Sequence, residues 1–280
     1  MSLAVRPLAG ALGAEVVGTD VTRLGRGERA ALRTAFLEHH VLVIRDQSLG
    51  RAEQLAFARE FGEPEVHPIV EGMDEHPDVI RVHKPAGASA SFGVGWHTDN
   101  SFFAEPSGAT VLYGEVVPPV GGDTLYANME RAWEALSETL RGCLDGLLGI
   151  HSARRAYDPA LVGREKYEGK GPLTYRLSDA IDQEVRHPVA RTHPETGRKS
   201  LYVNPMFTVG IEGMRRAESD ALLAFLFDHA AAPDFGCRVR WEPGTVTVWD
   251  NRCVWHYALD DYRDHERLMY RVTLAGERPR

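Results

Sequence analysis

The stretch Trp96-His97-Thr98-Asp99-Asn100-Ser101-Phe102-Phe103 decides how this chain is read. A histidine and an aspartate two residues apart on an extended segment point the same way, because successive side chains of a strand alternate between its faces. Two histidines and one carboxylate on one face form the donor set of a non-haem Fe(II) oxygenase, whose open positions take cosubstrate and dioxygen. His97 and Asp99 would supply two of those three ligands. The same spacing recurs at His76-Pro77-Asp78 and, with glutamate, at His193-Pro194-Glu195. A central proline marks both as surface turns, the second reinforced by Thr196-Gly197. Around His97 the aromatic residues Trp96, Phe102 and Phe103 suit a walled pocket. Taken alone, the pattern fits equally well a hydrogen-bonded His and Asp at a loop mouth that bind nothing.

The second histidine must come from a distant segment. His256 ends the strand-like run Thr245 to Tyr257 beside Trp249 and Trp255, whereas His229 falls in a helical pattern and His265 in a charged turn. Beyond it, Arg267, Met269 and Arg271 share one face of a strand, and Leu268, Tyr270 and Val272 share the other. Two arginines opposite an apolar face imply that the polar face looks into a cavity. A planar guanidinium there binds a carboxylate or sulfonate through two parallel hydrogen bonds. The alternatives are a satisfied core histidine at 256 and a pair of solvated or salt-bridged arginines.

Composition bounds the rest. The chain has 280 residues, 43% hydrophobic and 26% charged, which excludes disordered and fibrous classes. With 32 Lys and Arg against 40 Asp and Glu the net charge is −8, and no basic block appears, so nucleic acid is not an expected partner. Cys143, Cys237 and Cys253 are too few and too scattered for a disulfide framework and suit a reducing compartment. Neither a signal-peptide pattern nor an apolar run of about 20 residues is present. The expectation is a soluble cytoplasmic protein without a membrane partner.

Hydrophobic periodicity predicts helices over 27–39, 51–61, 132–148 and 217–231, and strands over 41–44, 79–82, 109–117, 123–129, 245–249, 253–257 and 267–274. Residues 185–203 read as a hairpin turning at 193–197. The Pro-, Gly- and Ser-rich segment 64–95 reads as an active-site loop. Residues 152–183, interrupted by Gly163, Gly169, Gly171 and Pro172, form an insertion, either a lid over the site or a surface excursion. With no repeat or linker, the expected architecture is a single domain over 1–280, mainly β with flanking helices.

Many ordered motifs together resemble the taurine dioxygenase-like (TauD/TfdA) family of Fe(II)/2-oxoglutarate-dependent dioxygenases. They are Gly13-Ala14-Glu15-Val16-Val17-Gly18-Thr19-Asp20-Val21, Val43-Ile44-Arg45-Asp46-Gln47, Phe61-Gly62-Glu63 with His67-Pro68, and Trp96-His97-Thr98-Asp99. The match continues through Gly121-Gly122-Asp123-Thr124-Leu125, His187-Pro188-Val189, Arg191-Thr192-His193-Pro194, Trp249-Asp250-Asn251-Arg252, His256-Tyr257-Ala258 and Arg267-Leu268-Met269-Tyr270-Arg271. The resemblance implies a double-stranded β-helix (jelly-roll, cupin-like) core and Fe(II) bound by His97, Asp99 and His256. It further implies 2-oxoglutarate and O2 as cosubstrates, with Thr124 and Arg267 on the distal carboxylate of 2-oxoglutarate, and a homodimer or homotetramer. His67, Arg271, Tyr157 and Phe207 would surround the substrate. Two positions depart from the taurine-using members: Val70 stands where they have tyrosine and Gly93 where they have asparagine. Loss of two polar contacts argues against taurine and for a larger or less polar anion, because a hydrogen-bonding site discriminates through such contacts.

The function so implied is hydroxylation of a small anionic substrate, a sulfonate, sulfate ester or carboxylate, with release of succinate and CO2. The carboxylate at position 99 favours hydroxylation over halogenation, while desaturation or tailoring of a natural product uses the same triad. A zinc hydrolase also uses His, His and Asp but has no need of Thr124 and Arg267. A non-catalytic 2-oxoglutarate sensor would keep the pocket without turnover.

Overall fold

Leu268, Tyr270 and Val272 pack outward against helices while Arg267, Met269 and Arg271 turn inward, and this alternation organises the molecule. A computed structural model describes residues 3–88, 92–168 and 172–280. Residues 89–91 of the 64–95 loop, and 169–171 of the insertion with its Gly169 and Gly171, lie outside the described residues. The strands are β1 (Ala4–Pro7), β2 (Ala14–Val17), β3 (Val41–Ile44), β4 (Val79–Lys84), β5 (Ala109–Val116), β6 (Thr124–Asn128), β7 (Leu148–Ser152) and β8 (Glu184–Pro188). They continue with β9 (Ala190–Thr192), β10 (Lys199–Leu201), β11 (Thr208–Ile211), β12 (Gly236–Val239), β13 (Thr245–Asp250), β14 (Val254–Ala258) and β15 (Arg267–Leu274). The helices are α1 (Arg26–His39), α2 (Arg51–Ala58), α3 (Met129–Glu134), α4 (Glu138–Leu144), α5 (Arg154–Tyr157), α6 (Pro159–Val162) and α7 (Arg216–Ala230).

The major sheet runs β1-β2-β3-β13-β5-β15-β4, and β12-β6-β14 forms a minor sheet. One face of the major sheet is sealed by Leu32 and Phe36 of α1 and Leu55 and Phe57 of α2, packed on Val246, Val248, Leu268, Tyr270 and Val272. Its other face joins Tyr126, Val239 and Val254 of the minor sheet in a second cluster with Val41, Val43, Leu112 and Met269. Outside the minor sheet, Ala127 and Trp255 carry α3 and α7 through Trp133, Leu223 and Leu226. This is the expected jelly-roll core with flanking helices, and its interior is the space between the two sheets. Burying each large apolar side chain contributes about 1.5–3 kcal/mol. Among the described residues no helix is long and apolar enough to cross a membrane.

Several boundaries differ from the sequence pattern. The single helix expected over 132–148 is two short helices followed by β7, because Ser137 breaks the run and accepts a hydrogen bond from Leu140 N as the cap of α4. The helix expected to Phe61 ends at Ala58. In the 185–203 hairpin only β9 and β10 pair with each other, while β8 pairs with β7.

His193-Pro194-Glu195 does make a turn, but its histidine is not at the surface. His193 is 1% exposed. Its Nδ1 accepts the backbone N–H groups of Glu195 and Thr196, and its Nε2 donates to Asp250 Oδ2 at 3.0 Å. Burial pushes the Asp250 carboxyl up, but Arg252 and His193 outweigh it and hold it well below the usual carboxylate range. His193→Ala is therefore expected to lower stability to urea by about 1–3 kcal/mol. A carboxyl depressed on folding adds stability above its unfolded value of about 4 and loses it as pH falls. Stability should drop on acidification below about pH 4, less steeply in His193→Ala than in wild type.

Candidate active site

His97 and His256 are brought together by the backbone. The two residues form an isolated antiparallel bridge, His97 N donating to His256 O at 3.1 Å and His256 N to His97 O at 2.8 Å, which leaves their rings 4.1 Å apart. Asp99 Oδ1 lies 3.7 Å from His97 Nε2 and 3.5 Å from His256 Nε2. All three side chains are buried, and one donor atom from each lies within 4.8 Å of the others, a spacing that could hold a metal ion. Asn100 turns the chain away immediately after Asp99 with φ at +55°, a conformation that asparagine tolerates better than most residues. His97 Nδ1 faces Gly95 O at 2.8 Å. A carbonyl only accepts, so Nδ1 carries the proton and Nε2 offers its lone pair to the cluster.

The electrostatics suit a cation. Burial lowers the pKa of both His97 and His256, keeping the rings neutral. Burial would raise that of Asp99, but Arg271, His256 and His97 outweigh it and keep the carboxylate ionised. Oδ2 of Asp99 accepts a 2.7 Å hydrogen bond from Thr110 Oγ1, which accepts in turn from Asn251 Nδ2 at 2.9 Å. Asn251 Oδ1 accepts from Trp249 Nε1 at 2.9 Å, and its backbone carbonyl accepts from Thr98 Oγ1 at 2.7 Å. Oδ2 is thereby tied back and Oδ1 turned to the histidines. A second donor group, His40, Asp250 and Cys253, is also buried and close. There, however, Arg252 bonds both Asp250 oxygens, and its guanidinium opposes a cation.

Two cavities adjoin the cluster. The inner one, 40 Å³, is lined by His97, His256, Thr124, Trp249, Arg267 and Arg271 among others. Arg267 is buried, its Nε has no hydrogen-bond partner, and it makes no ion pair among the described residues. The outer cavity, 280 Å³, is walled by Phe92, Tyr157, Tyr175, Met206 and Phe207, with Arg271 and Arg155 also in its lining. Arg271 lines both cavities and places Nη2 2.8 Å from Asp99 Oδ1. Larger recesses of 580 and 470 Å³ share none of these residues.

The structure therefore gathers His97, Asp99, His256, Thr124, Arg267, Arg271, Tyr157, Phe207 and Gly93 around these cavities. Gly93 has a positive φ of 76°, which accounts for glycine at this position. Neither His67 nor Val70 lines either cavity. His67 is committed within the protein: Nδ1 accepts from Ile69 N and Val70 N, and Nε2 donates to Asn100 Oδ1 at 3.0 Å. Burial, with Arg271 adding to it, lowers its pKa to about 4, so the ring is neutral. Val70 is bridged to Tyr175 of the 152–183 insertion. The insertion is thus joined to the 64–95 loop, also through Glu71 N to Thr174 O and Arg176 N to Ile69 O, and forms a wall of the outer cavity. Sequence reading missed Tyr175, Phe92, Met206 and Arg155. An aromatic residue within an otherwise polar insertion was the available signal for Tyr175.

The taurine catabolism dioxygenase TauD, TfdA family profile matches residues 4–273. The alpha-ketoglutarate-dependent sulfate ester dioxygenase of Pseudomonas putida is 36% identical over 281 residues, spanning 100% of this chain and 91% of that protein. The (S)-phenoxypropionate/alpha-ketoglutarate-dioxygenase of Sphingobium herbicidovorans is 33% identical over 277 residues, spanning 98% of this chain and 95% of that protein. A crystal structure of a taurine dioxygenase from Burkholderia xenovorans superposes with a TM-score of 0.83 at 38% identity, covering 100% of this chain and 91% of that one.

The Thr110 contact yields a test of how Asp99 is oriented. Thr110→Val should weaken divalent-cation binding at the cluster by about 10- to 100-fold, and Thr110→Ser should restore most of it, as followed by anaerobic calorimetric titration.

Proposed function

Because this chain belongs to the TauD, TfdA family and is a 2-oxoglutarate-dependent dioxygenase, we propose that it holds Fe(II) at His97, Asp99 and His256 and hydroxylates a monoanionic organic substrate. The balanced reaction is R–H + 2-oxoglutarate + O2 → R–OH + succinate + CO2. Iron bound there supplies the redox chemistry that couples decarboxylation of 2-oxoglutarate to oxidation of the substrate.

The observation that carries the reading is Arg267, a buried guanidinium without an ion pair among the described residues, lining the same cavity as the two histidines. The guanidinium donates a hydrogen bond to Tyr262, and the Trp241 and Tyr262 rings lie beside it, but a buried charge without a counter-ion is still expensive, so the site calls for an anion. Arg267 and Thr124 take the distal carboxylate of 2-oxoglutarate. Arg271, shared by both cavities, takes the anionic group of the substrate. Charge balance supports one negative charge on that substrate. With a divalent ion, Asp99 and the two arginines leave three positive charges, which the two carboxylates of 2-oxoglutarate and one monoanion neutralise. A zinc hydrolase would leave Arg267 without a role.

The outer cavity bears on substrate identity. The hydroxyls of Tyr157 and Tyr175 make no hydrogen bond among the described residues. Tyr175 thus returns to the wall a hydroxyl that Val70 lacks, while the remaining surface is largely apolar. That combination favours sulfate esters, sulfonates or carboxylates with an apolar body over taurine. The aromatic walls also keep water from the reacting centre.

Anaerobic addition of Fe(II) and then 2-oxoglutarate should give the visible charge-transfer band of the chelate. Absence of the band in wild type, or an unaltered band in His97→Ala and Asp99→Ala, would sink the assignment. Substrate-dependent succinate release across sulfate esters, sulfonates and aryloxyalkanoates then identifies the class. In Arg271→Ala the substrate KM should rise at least about tenfold, with a smaller change for 2-oxoglutarate. Tyr175→Phe should raise only the substrate KM.

A further inference from the structure

The hydroxyl of Thr124 has an unspent proton. Its Oγ1 accepts a 3.0 Å hydrogen bond from Trp241 Nε1 and donates none among the described residues. A threonine hydroxyl has one donor and two acceptor sites. With one lone pair filled by the indole N–H, the remaining orientations of the O–H group are restricted. Thr124 and Arg267 line one cavity, and the Arg267 Nε is likewise without a partner. Trp241 also lies beside the guanidinium, its ring centroid 5.7 Å from Arg267 Cζ, within cation–π range.

The indole is held in place from several directions. Trp241 is 3% exposed and packs over Gly114 of β5, where an added Cβ would come within 3.2 Å of Trp241 Cε3. On either side of it, Arg240 O accepts from Arg45 Nη1 at 2.7 Å, and Glu242 N donates to Thr245 Oγ1 at 3.1 Å. Thr124 itself is fixed between Val239 of β12 and Ala258 of β14.

We infer that Trp241 is a positioning residue for the cosubstrate: its indole N–H occupies a lone pair of Thr124 Oγ1 and aims the hydroxyl proton, beside Arg267, at the distal carboxylate of 2-oxoglutarate. The inference rests on the reading of Thr124 and Arg267 as the cosubstrate anchor. It assigns Trp241 no contact with the metal or with the primary substrate.

A double-mutant cycle on the full-length Fe(II)-loaded protein tests it, with the Kd for 2-oxoglutarate read from the anaerobic charge-transfer band. Trp241→Phe keeps an aromatic ring and removes the donor, and should weaken 2-oxoglutarate about five- to tenfold, with Fe(II) affinity unchanged. Thr124→Ala should weaken it at least as much. The double variant should match Thr124→Ala within about twofold, because the indole acts only through the hydroxyl. Wild-type affinity in Trp241→Phe, or losses that multiply in the double variant, overturns the inference while leaving the anchor intact. Wild-type affinity in Thr124→Ala overturns the anchor itself. If Trp241→Phe does not fold, 3-benzothienylalanine at position 241, which replaces the ring N–H by sulfur, removes the donor alone and should give the same loss; unchanged affinity with it overturns the inference.

Discussion

Charge enclosed between two sheets is the constraint on which this molecule depends. Arg267 and Arg271 enter the jelly-roll interior from one strand, and Asp99 meets Arg271 there, at 2.8 Å. Removing ions from water costs several kcal/mol each unless partners replace the solvent. The rest of the interior is arranged around that demand. Burial keeps the two histidines neutral, the Thr110 and Asn251 network bonds the free side of Asp99, and the unpaired Arg267 marks where an anion belongs.

The same constraint links local structure to chemistry. The alternation of β15 sends Leu268, Tyr270 and Val272 into the helix-covered face, and that apolar anchorage holds two long cationic side chains in fixed positions on the other side. β13 follows the same rule, with Val246 and Val248 outward and Trp249 inward. Strands thus carry Arg267, Arg271 and His256, while the segment between β4 and β5 supplies His97 and Asp99, His97 being fixed by its bridge to His256. Of the outer wall, Tyr175 and Phe92 come from irregular segments and Tyr157 from the short helix α5, connecting structure of the kind in which variation is best tolerated.

The elements best read from the chain are those whose periodicity coincides with a buried face. β13, β14 and β15 and helices α1 and α7 follow from alternation and helical spacing, whereas the joining of His97 and Asp99 with His256 was what the family resemblance implied. Errors arose where local chemistry interrupted a pattern, as at Ser137, whose hydroxyl caps a new helix within an apparently continuous one. They also arose where hydrophobic pattern says nothing about depth. His193 sits in a turn yet is buried, its Nε2 on the Asp250 carboxylate that Arg252 also bonds, and His67 is withdrawn from the cavity by three hydrogen bonds.

By itself, then, the sequence determined the His97-x-Asp99 pair, the shared face of the two arginines and the alternation of the strands, because those are properties of residue type and of periodicity along a single segment; the jelly-roll core and the full donor set were what the family resemblance implied. Tertiary structure decided what each buried group has left to offer. Whether a histidine nitrogen, a threonine lone pair or a guanidinium N–H is spent inside the protein depends on neighbours distant in the chain: Asn100 for His67, Trp241 for Thr124, Asp99 for Arg271. A hydrogen-bonding site recognises ligands with its unsatisfied groups, and satisfaction is a property of packing in three dimensions.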